Sequence, residues 1–374
     1  MKIVIVGTAY PLRGGIAHYN ALLYRTLRDR GHQVHVISFK RQYPALLFPG
    51  RTQQDTGEET IPIHAEPLLD SIGPVSWLRA ALRIRQHAPD LVVFKYWMPF
   101  FAPCFATVAF LSKLLCAARV VYICDNIVPH EGTRLDVPLT RLALAFVDHF
   151  VVMSHTVQQD LLRFVPHADF RHVPHPVYSI FGDPLPKEEA RRRLGLGSGN
   201  LILFFGYVRA YKGLHVLLQA MPEVLRQTPV RLLVAGEFYS DKSTYLQLIE
   251  QLGISSAVTI MDEFIPNQDV KLYYSAADVV VLPYLSATQS GIVQIAYHFN
   301  KPVITTDVGG LPDEVVHGAT GFVVPANDPK ALASAIVSYF AEKKEHSFAE
   351  QIAQHKRRYS WDRLAEAIES FATP

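Results

Sequence analysis

Residues Tyr284 to Glu314 read YLSATQSGIVQIAYHFNKPVITTDVGGLPDE. A Thr-Gln-Ser-Gly step leads into an apolar segment of helical length. Lys-Pro-Val-Ile then begins a buried strand, and a polar turn with Gly309 and Gly310 ends on the acidic pair Asp313-Glu314. Helix, strand and glycine turn in this order form one unit of a parallel α/β sheet. Ser290 and Gly291 fall where the helix begins. A helix N-terminus offers unpaired backbone N–H groups and a partial positive charge, so this point suits an anion such as a phosphate.

The same pattern runs outward in both directions. In the second half, strands are expected at Leu201–Phe205, Leu232–Ala235, Val258–Met261, Val279–Pro283, Val303–Thr305 and Gly321–Val323, with helices at Gly213–Thr228, Ser243–Leu252, Asn267–Ser275, Gly291–Phe299 and Lys330–Lys343. In the first half, Lys2–Val6 starts a series of strands that continues at Val34–Ser38, Leu91–Phe94, Val120–Cys124 and Phe150–Met153. Its helices are expected at Ala17–Arg30, Val75–Gln86, Met98–Cys116 and Leu139–Val147. Each half therefore supports a doubly wound, Rossmann-like parallel sheet. Val173–Lys187, VPHPVYSIFGDPLPK, is too rich in proline for a helix and reads as the hinge between them. Such folds bind ligands at the carboxyl ends of their strands, so function is expected in a cleft shared by the two halves. The expected domains are 1–178, 179–358 and a C-terminal helix, 359–374, returning to the first domain.

Composition removes several classes. The 374 residues are 49% hydrophobic and 19% charged, which fits a two-domain globular chain rather than a disordered one. A formal charge of +2 gives no footprint for nucleic acid. Cys104, Cys116 and Cys124 form neither a disulfide framework nor a zinc pattern, so reduced cysteines and a cytoplasmic setting are expected. MKIVIVG has too short an apolar run for a signal peptide. Tyr96–Ser112, YWMPFFAPCFATVAFLS, carries no charge. With Pro99 and Pro103 near its start it reads either as a buried helix or, beside the basic Arg79, Arg83 and Arg85, as a surface resting on the inner face of a membrane.

Chemistry-bearing residues cluster after the strands. Gly7–Gly15, GTAYPLRGG, lacks the Gly-x-Gly-x-x-Gly spacing of a dinucleotide site, which disfavours a nicotinamide enzyme. Gly14 and Gly15 nevertheless open a helix and suit either a plain turn or the close approach of an anion or sugar, with His18 a cleft candidate. In FGYVRAYKG, a strand ends at Gly206 and Arg209 and Lys212 follow it. Guanidinium plus ammonium beside a helix start suits a diphosphate, the alternative being solvated loop charges. CDNIVPHE supplies Asp125, His130 and Glu131, groups able to move a proton or bind an acceptor. His172 and His175 read as structural.

Taken together, GGIAHY, GYVRAYKG, YYSAADVVVLP and NKPVITTDVGGLPDEVVHGATGFVV resemble the retaining glycosyltransferases of carbohydrate-active family four, which have the GT-B fold. The motifs extend over nearly the whole chain. The resemblance implies transfer of a sugar from a UDP- or GDP-linked donor to a saccharide or lipid-linked acceptor, in glycan or polysaccharide biosynthesis, with no metal and no further cofactor. It implies that Arg209 and Lys212 hold the diphosphate, that Phe264 and Ile265 lie near the base, and that Gly14 and Gly15 lie near the transferred sugar. Fixed cations would then take the place of a metal ion.

Two departures stand out. Family members carry a spaced pair of glutamates within the Tyr284–Glu314 region, where this chain has Thr288, Gln289, Ser290, Gly291 and Gln294. The form resembles a Thr-Gln-Ser-Gly subset in which amides and backbone N–H groups replace carboxylates. Members also often carry a histidine directly after the strand ending here at Cys124, where this chain has Asp125. An epimerase or phosphorylase of the same fold, or a non-catalytic nucleotide-sugar-binding relative, are the competing expectations.

Overall fold

The computed structural model describes residues 1–44, 52–55, 61–128, 135–239 and 241–372. Two compact units emerge, Met1–Pro176 with Tyr359–Pro374, and Val177–Arg358. The expected boundaries were 178/179 and 358/359.

In the first unit the chain runs β1 (Lys2–Val6), α1 (Gly15–Asp29), β2 (Gln33–Arg41), β3 (Ala65–Asp70), α2 (Pro74–His87), β4 (Leu91–Tyr96), α3 (Ala102–Cys116), β5 (Arg119–Cys124), α4 (Asp136–Leu144), β6 (His149–Val152), α5 (His155–Phe164) and β7 (Phe170–His172). A short 3-10 turn, Pro99–Phe101, precedes α3. The strands form one parallel sheet in the order β3-β2-β1-β4-β5-β6-β7. Central strands such as KIVIV and LVVFKY read as continuous apolar runs because both faces of the sheet are covered.

The second unit runs α6 (Lys187–Arg193), β8 (Asn200–Phe205), α7 (Leu214–Gln227), β9 (Val230–Ala235), α8 (Lys242–Gln251), β10 (Val258–Met261), α9 (Asn267–Ala276), β11 (Val279–Leu282), α10 (Gly291–His298), β12 (Val303–Thr306), α11 (Leu311–Glu314), β13 (Gly321–Val324), α12 (Pro329–Ala341) and α13 (Glu345–His355). Its parallel sheet has the order β10-β9-β8-β11-β12-β13. The direction of strand order reverses between β8 and β11 here, and between β1 and β4 in the first unit. These are the points at which loops diverge and leave a crevice.

The last helix, α14 (Trp361–Ser370), belongs to the first unit. Ser360 caps it by accepting from the Arg363 amide, and it buries Leu364, Ala365 and Ile368. Trp361 meets Tyr19 of α1 edge-on at 4.9 Å, and Glu369 accepts from both Arg30, at 2.7 and 2.8 Å, and His32, at 2.7 Å.

Several elements carry no signal in the sequence reading. Strand β3 contains Pro67 and buries only Leu69 fully, and edge strand β7 buries none of its three residues, so neither shows an apolar run. Helix α6, KEEARRR, has no apolar stripe. It is held by Arg191, whose guanidinium donates to Asp278 at 2.9 Å and to the Ala276 carbonyl at 2.9 Å. Helices α5 and α13 are polar with narrow buried stripes, Val157 and Leu161 in one and Phe348 and Ile352 in the other.

Candidate functional site

In the second unit, β8 ends at Phe205 and Gly206 turns the chain at φ +95°, a conformation that favours glycine. A Cβ there would stand 3.3 Å from Lys212 Nζ and 3.2 Å from Ile292 Cδ1. The Lys212 ammonium is therefore folded back against the end of β8, beside the first turn of α10. Lys212 is only 8% exposed, and its ammonium makes no ion pair or hydrogen bond among the described residues. The charge that acts on it is another cation, Arg209, whose guanidinium lies over the rings of Tyr211 and Tyr239 at 6.0 and 5.7 Å. Burial first, and Arg209 second, push the Lys212 ammonium down to about 8. An uncompensated cation in this position is costly for the free protein and favours an anion.

The opposite wall is the quoted stretch. After β11, residues 283–290 lead into α10, whose Ser290 N-cap does not cap the helix with its own side chain. The Ser290 hydroxyl instead meets Tyr284. Gly309 packs so close to this loop, at φ +54°, that a Cβ would fall 1.5 Å from the Ala287 carbonyl oxygen. Thr288, Ser290 and Gln294 are buried and Gln289 is half-buried. Arg209, Lys212, Gly206, Gly291 and Ile292 thus come together at the β8/β11 switch point. Phe264 and Ile265 lie apart in the loop after edge strand β10, with Ile265 buried and Phe264 half-buried.

Glu314, read in the sequence only as half of an acidic pair, proves to be a buried member of this wall. Its carboxyl lies beside the Gln294 side chain and the Ser290 amide at the start of α10. Burial raises it from the ordinary 4.5 to about 8, so the folded protein holds a proton there that the unfolded chain releases. The stability it contributes is complete below pH 4.5 and is lost as pH rises through 8. Glu314→Gln keeps the shape and removes the titration. We expect urea unfolding of wild type and variant to agree at pH 5 and to differ by about 4 kcal/mol in favour of the variant at pH 8.5. Parallel pH profiles for the two proteins would rule this out.

In the first unit, Gly14 has φ +114° and open space where a Cβ would sit, and α1 begins at Gly15 without a side-chain cap. His18 lies in its first turn, where burial pushes it down to about 4 against the opposing pull of Asp55. Asp125 directly follows β5, and its Oδ1 accepts from Lys95 Nζ at 2.6 Å. Lys95 is 1% exposed, and its ammonium also lies 3.4 Å from the centre of the Tyr19 ring. Burial lowers its pKa and Asp125 opposes that. His175, expected to be structural, is buried edge-on to Tyr19 at 5.2 Å, its Nδ1 donates to the Pro176 carbonyl at 2.8 Å, and burial and Lys95 push it down to about 4. His172 lies on exposed edge strand β7. His130 and Glu131 lie outside the described residues.

Lys95 was missed by the sequence reading. Its signal is a lysine inside LVVFKY, a run otherwise buried throughout. Among the described residues no group of three or more His, Cys, Asp or Glu is placed to hold a metal ion.

Residues 13–178 match the family model described as Glycosyltransferase Family 4, and residues 199–342 match the one described as Glycosyl transferases group 1. The chain belongs to the family-four glycosyltransferases. Among curated relatives, the D-inositol 3-phosphate glycosyltransferase of Corynebacterium urealyticum is 36% identical over 48% of this chain and 45% of its own length. That of Acidothermus cellulolyticus is 26% identical over 95% of this chain and 84% of its own. Apart from the latter, the chain spans about half the length of the curated relatives it matches. Anabaena HepE in complex with UDP shares 18% identity over 99% of both chains at a TM-score of 0.75. This likeness gives the glycosyltransferase the GT-B fold, with its two Rossmann-like sheets.

Proposed function

We propose that this protein is a retaining, metal-independent glycosyltransferase that moves a sugar from a UDP- or GDP-linked donor to a saccharide or lipid-linked acceptor in glycan or polysaccharide biosynthesis. It works in the cytoplasm, at the inner face of a membrane. The carrying observation is the buried, uncompensated Lys212 ammonium beside Arg209 and the open start of α10. In transfer, the bond between the sugar C1 and the diphosphate oxygen breaks with its electron pair on the phosphate. The acceptor oxygen forms the new bond to C1 and gives its proton to the departing phosphate. Arg209 and Lys212 meet the charge that grows on the departing phosphate, and as fixed donors they need no reorganisation to do so.

In this reading Gly206 and Gly291 let the phosphates approach the backbone, and Phe264 and Ile265 flank the base. Thr288, Gln289, Ser290 and Gln294 meet sugar and ribose hydroxyls. Gly14, Gly15, His18, Asp125, His130 and Glu131 serve the transferred sugar and acceptor. The UDP bound to HepE supports a uridine donor, and the names of the curated relatives, D-inositol 3-phosphate glycosyltransferases, support a small phosphorylated acceptor.

A thermal-shift screen against UDP, GDP and ADP and their sugars tests the reading, since a ligand of the folded state alone raises the unfolding midpoint. One nucleotide should stand out with the chelator EDTA present. No shift with any of them would refute the donor site. The pH dependence has a definite sign. Diphosphate binding favours charged Lys212, which in the free protein loses its proton at about 8, so UDP affinity should weaken as pH rises from 7 past 8. Titration calorimetry at pH 7 and 9.5 checks this, and equal affinities would remove Lys212 from the site.

A further inference from the structure

Helices α2, α3 and α4 lie side by side on one face of the first unit's sheet, with α3 packed against both of the others. Their inner faces are core. Their outer faces are not the polar surfaces such helices usually present. Of the fourteen large hydrophobic residues exposed among the described residues, ten fall between Ile72 and Leu142, so the exposure is a patch and not scatter. On α2, Val75, Leu78 and Leu82 form an outward stripe at helical spacing. On α3, Phe110 and Leu114 project beside it, Leu114 being 67% exposed. Phe110 and Leu142 of α4 border an apolar groove of about 250 Å³ between α3 and α4.

The charges on these helices are almost all of one sign. Neither α2 nor α3 contains an acidic residue, and α4 contains only Asp136. Arg79 and Arg85 on α2 and Arg141 on α4 are exposed and make no ion pair among the described residues. Exposed apolar side chains interleaved with unpaired guanidinium groups are the composition of an interfacial helix, whose apolar residues enter the acyl boundary while its cations meet anionic headgroups. A second copy of this chain fits less well, because a two-fold contact would set the same arginines against each other. Although Pro99–Cys116 is apolar enough to span a bilayer, half of it is buried within the first unit, which fits a packed helix with one free face rather than a span.

We propose that the outer face of α2, α3 and α4 docks on an anionic lipid bilayer. The inference rests on the reading of a peripheral membrane enzyme and names the surface and lipid charge that hold it there. It is tested by co-sedimenting the full chain with phosphatidylcholine vesicles with and without phosphatidylglycerol. Binding is expected only with the anionic lipid and should fall with added salt. Arg79→Glu with Arg85→Glu should weaken it by about tenfold or more, and Leu78→Glu with Leu114→Glu should abolish it. All four positions are exposed, and stabilisation by UDP should be unchanged in both variants, which separates failure of this surface from failure of the donor site. Absence of vesicle binding, equal binding by the variants, or a dimer in sedimentation velocity that the leucine variants dissociate would each overturn the proposal.

Discussion

Lys212→Met is expected to cut transfer by about 10²–10³-fold, the cost of removing one fixed donor to a developing oxyanion, and at the same time to make the second unit more stable. The two effects share one cause. Burial in the free protein pushes the ammonium from its ordinary 10.5 down to about 8, and a depression of that size corresponds to about 3 kcal/mol against the folded state. Methionine fills the same space without charge. A gain of this order raises the unfolding midpoint of a unit this size by about 5–10 °C.

The sign with pH follows from the same shift. Between about 8 and 10.5 the unfolded chain holds the proton more readily than the folded one, so the penalty is complete below pH 8 and disappears towards 10.5. The variant's advantage should be full at pH 7 and nearly gone at pH 10.5. Differential scanning calorimetry across that range, with initial rates on the best donor from the nucleotide screen, reads both halves. Full turnover in the variant would end the assignment of Lys212, and a lowered midpoint would end the account of its burial. Arg209→Ala should reduce turnover similarly without the gain in stability, because Arg209 is only half-buried.

The second large effect lies in the first unit. Asp125→Ala is expected to destabilise it by about 3–5 kcal/mol, because it strands the Lys95 ammonium without a counter-charge. The pair is 2.6 Å apart, with side-chain exposures of 2% for Lys95 and 16% for Asp125. Lys95→Met added to Asp125→Ala should return most of that loss, since removing both charges avoids leaving one buried alone. A double-mutant cycle by urea unfolding gives the coupling energy. If Asp125→Ala alone is neutral, Lys95 is satisfied by other means and Asp125 is not held where the structure places it. The recovered stability should not bring transfer back if Asp125 meets the sugar, so the double variant also separates the structural part of Asp125 from the chemical one.

Much of the candidate site was legible because its elements are local. Arg209 and Lys212 follow a buried strand, and Ser290 and Gly291 precede an apolar helix, so their positions at strand ends and helix starts follow from short-range pattern. Lys95 was not legible as a site residue, since a lysine at a strand end ordinarily faces solvent. Only the packing of Tyr19, Met153 and His175 around it makes it buried. Glu314 was hidden for a similar reason. In sequence it is one of two acidic residues in a turn, and its raised pKa comes mainly from burial against α10, with the adjacent Asp313 charge adding to it.

The sequence alone determined the alternation of strand and helix, the division into two parallel sheets, and the cations and glycines at the ends of their strands. These follow from hydrophobic periodicity and turn chemistry, which act over a few residues. The strand orders, the edge strands β3 and β7, the helix α6 held by Arg191 and Asp278, and the ionisation of Lys95, Lys212 and Glu314 were decided only by the tertiary structure. Each depends on contacts between residues far apart in the chain, and on how much water the packed chain leaves around a charge. The stretch from Tyr284 to Glu314 shows both. Its helix and turn are written in its own residues, whereas the anion-seeking character of its surroundings appears only when Lys212 is buried against it.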